Sequence, residues 1–178
     1  MIEVIEKINC NIAEQICCLQ VRKHSLRLFG LAQPILISDE NSDENSVIPA
    51  VVDNGGECRY VFSDDDYSAG CYHRIIGKTY GKTKGYGDCD FDVEVYEIML
   101  VCWGFREQLK MSAYDFEKNV IIPSMPNGVI LVSSNFDTSS VIQGEFRRIN
   151  YLNKPEEFIF STRYKVQLKF NRKCLNNC

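Results

Sequence analysis

The chain has 178 residues, 45% of them hydrophobic and 25% charged, with a net charge of −4. These values exclude a wholly disordered chain, and no apolar run approaches the roughly 18 residues of a membrane span. The length suits one domain with a real core, so disulfide or metal staples are not obligatory. Nine cysteines stand out. Their number is odd, and the N-terminal MIEVIEKINCNIAEQ lacks the basic and apolar regions of a signal peptide. This predicts reduced thiols in a protein made inside a cell. Charge is uneven: residues 1–100 carry 9 Lys/Arg and 17 Asp/Glu, whereas residues 101–178 carry 11 and 7. The split would let the acidic part of one copy meet the basic part of the next. The plainer reading is that both halves intermix in one fold.

Residues 3–20 predict an amphipathic helix, because Ile5, Ile8, Ile12, Ile16 and Leu19 recur at spacings of three and four. PILI (34–37) and VIPAVV (47–52) read as short strands held to edges or starts by Pro34 and Pro49. The tandem repeat SDEN-SDEN between them has no apolar residue to bury and reads as a solvated acidic loop over 38–46. CRYVF (58–62) is a further strand. From 63 to 90 the chain gathers five of its eleven glycines and four of its nine tyrosines. Such a segment reads as a projecting arm or hairpin that docks on something else, with Tyr67, Tyr72, Tyr80 and Tyr86 as contact residues. FDVEVYEIMLVCW (91–103) is the most apolar strand. A row of acids at period two, Asp88, Asp90, Asp92 and Glu94, leads into it. Ser112 and Asp115 form a capping-box signature for a helix through about Ile122, closed by Pro123 and Pro126. GVILVSS (128–134) and SSVIQGEFRRI (139–149) read as strands. Residues 158–170 alternate an apolar row with a largely basic one that includes Arg163, Lys165 and Lys169. At about 3.3 Å per residue that strand spans roughly 43 Å, against about 40 Å for a compact domain of this length. The expected fold is α+β: a mainly antiparallel sheet with an N-terminal helix and one further helix packed on it.

Chemistry is harder to find. Gly77-Lys78-Thr79 and Gly81-Lys82-Thr83 evoke a phosphate loop, but neither has a glycine at the required four-residue separation. Cys58, Cys71, His73 and Cys89 are four potential zinc ligands at irregular spacing, without a CxxC knuckle. Cys71 and His73 share a strand face, which permits a thiol–imidazole pair, but the sequence names no third group. The expectation is no enzyme, no cofactor and no metal. A zinc- or thiol-dependent domain at Cys58/Cys71/His73/Cys89 is kept as the alternative, beside an adaptor that binds one partner through the tyrosine-rich arm.

The order MIEVIEKINCNIAEQI, DFDVEVYEIMLVCWG, SAYDFEKNVIIPSM, VILVSSNFDTSSVIQGEFRRIN and EFIFSTRYKVQLKF resembles small neck and tail-ring proteins of tailed bacteriophages. These are the tail-terminator and head-to-tail connector group, in the style of crAss-like phages. The resemblance rests on element order rather than on a motif, and it brings no catalytic residues. It implies a virion structural protein assembled in the bacterial cytoplasm. Identical subunits would form a ring stacked against the portal or adjacent neck and tail rings. Genomic DNA would pass through the channel without sequence-specific binding, and no membrane would be involved. On that picture Tyr67, Tyr72, Tyr80, Tyr86, Arg163, Lys165 and Lys169 are interface candidates. Asp88, Asp90, Asp92 and Glu94 would line the channel.

Overall fold

The computed structural model describes residues 1–18, 26–38, 45–52, 56–61, 66–84, 90–145 and 156–171. The fold is α+β and mainly antiparallel. Helix α1 (Ile2–Cys18) is followed by strands β1 (Leu26–Leu31), β2 (Gln33–Ser38), β3 (Asn45–Val52) and β4 (Cys58–Tyr60). Two 16-residue strands come next, β5 (Ala69–Lys84) and β6 (Asp90–Phe105). A short helix α2 (Arg106–Leu109) leads to a continuous helical segment: α3 (Ala113–Phe116), a π-turn (Glu117–Ile121) and α4 (Ile122–Ser124). Strand β7 (Val129–Asn135), helix α5 (Thr138–Glu145) and strand β8 (Glu157–Asn171) complete the order.

Two sheets result. The larger runs β1-β5-β6-β8-β7 and the smaller β2-β3-β4. All neighbouring strands are antiparallel except β1 and β5. The even-numbered residues of β6 from Ile98 to Cys102 bury against the isoleucine stripe of α1 and against Phe116, Val120 and Ile121 of the helical segment. The odd-numbered Val101, Trp103 and Phe105 bury on the other side with Ala32, Val61 and Val141, alongside the small sheet and α5. The strand is therefore covered on both faces, which is why its alternation disappears after Tyr96.

Two expectations are corrected. The strand expected over 139–149 is instead a helix over Thr138–Glu145. Asp137 caps it: its Oδ1 accepts from the Ser139 and Ser140 N–H groups at 3.1 and 3.3 Å. This N-terminal signal outweighs the β-propensity of Thr, Ser and Val. The Gly/Tyr-rich stretch is likewise not a detached arm at its start. Ala69 to Ile75 pairs in register with Ile98 to Gly104 in the middle of the large sheet. Strand β1 was not foreseen, since LRLFGL follows a basic run without a marked break. Residues 39–44, most of the SDEN repeat, lie outside the described residues. The foreseen capping box is present, with Ser112 Oγ accepting from Asp115 N–H and Asp115 Oδ2 accepting from Ser112 N–H.

Close approach, not turn geometry, requires glycine at position 70. A Cβ there would lie against the Trp103 ring and 2.7 Å from the Arg27 carbonyl oxygen. At Gly81, by contrast, nothing lies within 4 Å. Gly70→Ala should lower the stability measured by urea denaturation by about 1–3 kcal/mol, the usual cost of overpacking a core. Gly81→Ala should leave it unchanged or slightly raised.

Candidate functional site

Most of the described residues singled out from sequence fall in three places: a buried polar cluster, a projecting ribbon and a cavity beneath α5.

The buried cluster contains Cys71 and His73. Both face α1, as their shared strand parity predicted. The third group that sequence could not name is Asn9 of α1. Its Nδ2 donates to the Phe29 carbonyl at 3.0 Å, leaving Oδ1 as an acceptor that lies 3.0 Å from His73 Nε2. Because Oδ1 can only accept, Nε2 carries the proton. Nδ1 is then bare, and the Tyr164 hydroxyl, 2.8 Å away, donates to it. The Cys71 thiol donates to the same Asn9 Oδ1 at 3.7 Å. The imidazole is 0% exposed, and burial pulls its pKa down to about 3. Burial also pushes the thiol of Cys102, which faces Cys71 across the strands, well above the usual range.

A thiol–imidazole nucleophile needs the bare ring nitrogen turned toward the sulfur. Here that nitrogen is turned toward Tyr164 instead. The cluster joins α1, β1, β5 and β8 through hydrogen bonds, and the His73 ring is fully buried within it. Cys58 is exposed on β4 of the small sheet, while Cys71 and His73 are buried in the helix-side layer, so these three do not converge. Cys89 lies outside the described residues. Among the described residues no three His, Cys, Asp or Glu side chains gather as a metal site.

The ribbon is the far end of β5, β6 and β8. Strand β6 pairs with β5 and with β8 over almost its whole length, whereas β1 reaches only His73 and β7 only Ser161–Val166. Beyond those limits three strands continue alone. A bulge between Ile75 and Gly77 shifts the parity of β5. Lys78, Tyr80 and Lys82 therefore share a face with Asp92, Glu94 and Tyr96, in the pairs Lys78↔Tyr96, Tyr80↔Glu94 and Lys82↔Asp92. Lys78 Nζ lies 3.0 Å from Glu94 Oε1 and 4.8 Å from the centroids of both the Tyr80 and Tyr96 rings. Hydrogen bonding by Tyr80, Tyr96 and Glu94 holds the Lys78 ammonium above its usual range. The Tyr96 hydroxyl, 2.6 Å from Glu94 Oε2, and then Lys78 hold the Glu94 carboxyl below its usual range. The expected acidic row is thus matched by lysines from the adjacent strand and is not a bare negative face. Asp90 is paired in backbone register with Lys84, and Asp88 lies outside the described residues.

The other interface candidates are dispersed. Tyr80 is 74% exposed on the ribbon. Tyr67 is half-buried beneath the Arg27 guanidinium. Tyr72 is withdrawn from the surface: it is buried in the core, and its hydroxyl donates to Glu145 at 2.9 Å. Tyr86 lies outside the described residues. Lys165 and Lys169 occupy the face of β8 opposite the acidic row, with Lys165 Nζ 3.9 Å from Glu97 Oε2. Arg163 is on that same face, at the mouth of the cavity under α5.

Sequence reasoning missed the edge strand β7 as a surface. Ile130, Leu131 and Val132 are exposed, Ile130 by 59%, and the strand carries no charge. The run VILV between a turn and Ser-Ser was the available signal, but it reads equally well as core.

The sequence matches no protein-family model, and no match to it was found among curated proteins. Among the described residues no helix is long and apolar enough to cross a membrane.

The buried histidine has a pH consequence. Its folded-state pKa of about 3 lies below the ordinary 6.5, so between those values the unfolded chain binds a proton that the native chain refuses. Stability should fall as pH drops through that window, by at most about 1.4 kcal/mol per pH unit. His73→Phe should cost about 1–3 kcal/mol at pH 7, because Asn9 and Tyr164 lose their partner. It should also flatten the dependence between about pH 6.5 and pH 5, above the range where carboxylates titrate. Urea denaturation across pH reads both effects.

Proposed function

We propose that this protein is a structural subunit that assembles into a homo-oligomeric ring of a phage neck or tail, joining the portal to the tail around the DNA channel. The observation that carries the reading is the exposed apolar edge of the large sheet. Strand β7 offers Ile130, Leu131 and Val132 to solvent with no charged residue among its seven. Isolated proteins usually blunt such an edge with lysine, proline or a covering loop. An edge left open suits addition of a strand from a neighbouring copy.

The opposite edge of the same sheet is β1, bordered by a cavity of about 530 Å³ lined by Leu28, Phe29 and Val51 together with Arg27 and Arg59. Following the strand directions across β1-β5-β6-β8-β7, β7 runs opposite to β1. Joining β7 of one copy to β1 of the next would make an antiparallel pair and continue the sheet from subunit to subunit. This is a head-to-tail contact, which closes into a ring when the rotation per subunit allows. The three-stranded ribbon then supplies a surface with Lys78 and Lys82 set against Asp92 and Glu94. Balanced charge neither grips nor strongly repels a polyanion in transit.

The element-order resemblance to tail-terminator and connector rings supports the virion setting. Light scattering and negative-stain imaging of the purified protein should give a ring. Ile130→Lys combined with Val132→Lys should give a monomer that keeps the native circular dichroism, because both side chains are exposed, and that melts lower only by the stabilisation that assembly adds. A wild-type chain that stays monomeric at high micromolar concentration, and that is missing from purified virions, would rule the reading out.

A further inference from the structure

Beneath α5, on the face of the large sheet opposite α1, lies a cavity of about 280 Å³ that none of the foregoing uses. Its walls come from five elements, with Met99 of β6 at the floor between the polar residues of the other four. Arg74 projects from β5, Arg163 and Ser161 from β8, Ser133 from β7 and Ser140 from α5. Glu145 is the single carboxylate in the lining, and it is already committed. Its side chain is 3% exposed, with Oε1 2.6 Å from Arg74 Nη1 and Oε2 accepting from the Tyr72 hydroxyl at 2.9 Å. One edge of the Arg74 guanidinium is thereby fixed, and its remaining N–H groups are held in place. Glu145 balances the charge of Arg74, so the charge of Arg163 is uncompensated within the lining. Among the described residues Arg163, Ser133 and Ser161 have no side-chain hydrogen-bond or ion-pair partner. The cavity thus collects unfilled donors and a net positive charge in a place bounded by rigid strands.

We propose that this cavity is a binding site for a phosphate-class oxyanion, either free inorganic phosphate or the phosphate of a small phosphomonoester. A planar carboxylate is satisfied by one arginine fork. Donors on β5, β8, β7 and α5 instead line the cavity from several sides, which suits a tetrahedral anion with four oxygens. Arg163 supplies the charge and its N–H donors, Arg74 supplies a pre-oriented edge, and the serine hydroxyls complete the shell. The volume falls just below the roughly 300–1,000 Å³ of pockets for drug-sized ligands, so the phosphate carries at most a small organic group. The assignment does not depend on the ring reading, since every lining residue belongs to one copy.

The test is calorimetric titration and thermal melting of the intact protein with inorganic phosphate and, separately, glycerol phosphate, against chloride at matched ionic strength. Saturable binding with a raised melting midpoint is expected from at least one of the two. Tighter binding of the ester identifies a phosphomonoester ligand, and tighter binding of the free ion identifies phosphate itself. Arg163→Gln should weaken binding about tenfold or more, as loss of charge-assisted hydrogen bonds does. It should leave the anion-free melting midpoint unchanged, because Arg163 is exposed. Lys118→Gln, an exposed cation on the π-turn, should bind as the wild type does. No saturable response to either anion, or equal affinity in the Arg163→Gln protein, would overturn the assignment.

Discussion

The fold depends on covering one strand from both sides. Strand β6 is hydrogen-bonded to β5 and β8 along almost its full length, and its second half is apolar on both faces. Neither face can be left in water. The isoleucine stripe of α1 takes one, and the small sheet together with α5 takes the other. Its sixteen extended residues, at about 3.3 Å each, reach roughly 50 Å. The covering layers meet only part of that length, so the same strand that builds the core also carries the ribbon out of it. Core and projection are two stretches of one covalent element, and the hydrogen-bond ladder connects them without a hinge.

The buried polar groups on the two sides of the sheet do different work. On the α1 side, His73 is bonded by Asn9 and Tyr164, Cys71 donates to Asn9, and Asn9 donates to the Phe29 carbonyl, and a network of this kind fixes how the helix sits on the sheet. Glu117 plays a similar part nearby: it is buried on the π-turn and accepts from Ser134 on β7 and from Thr162 on β8. On the α5 side, Glu145 satisfies Tyr72 and Arg74, but Ser133, Ser161 and Arg163 are left open toward a cavity. Buried groups bonded to one another on one face, and donors facing a cavity on the other, separate structural polarity from polarity that awaits a ligand.

Much of this was legible in the sequence. The period of Ile5, Ile8, Ile12 and Ile16 placed α1, the alternation of 158–170 placed β8, and Ser112 with Asp115 placed the start of the helical segment. What escaped depended on partners distant in the chain. Strand β5 reads as a projecting arm because it is poor in aliphatic residues. Its burial comes instead from Gly70 admitting the Trp103 ring and from Tyr72 and His73 finding Glu145 and Asn9. No local window contains those pairs. Helix α5 was missed for the opposite reason: its local cap, Asp137, was present but was outvoted by the strand propensity of TSSVI. The candidate cavity was invisible because its donors come from residues 74, 133, 140, 161 and 163, and only the sheet order brings them together.

The bulge at Ile76 is a counting device. Before it, the odd-numbered residues of β5 face α1; after it, the even-numbered residues do. If Ile76 instead took a ladder position opposite Glu97, Lys78 would stand opposite Val95 and Lys82 opposite Phe91. Lys78, Tyr80 and Lys82 would then pass to the side of Glu97 and Lys165, while Glu94 and Asp92 would face Thr79 and Gly81. Deleting Ile76 has no such effect, because it closes the bulge and leaves every outer pair standing. Deleting a residue between the bulge and Lys82, with the bulge kept, would invert the strand beyond the cut. The same one-residue loss is therefore silent at one position and reverses the electrostatic character of a whole surface a few positions away, while the hydrophobic core keeps its composition.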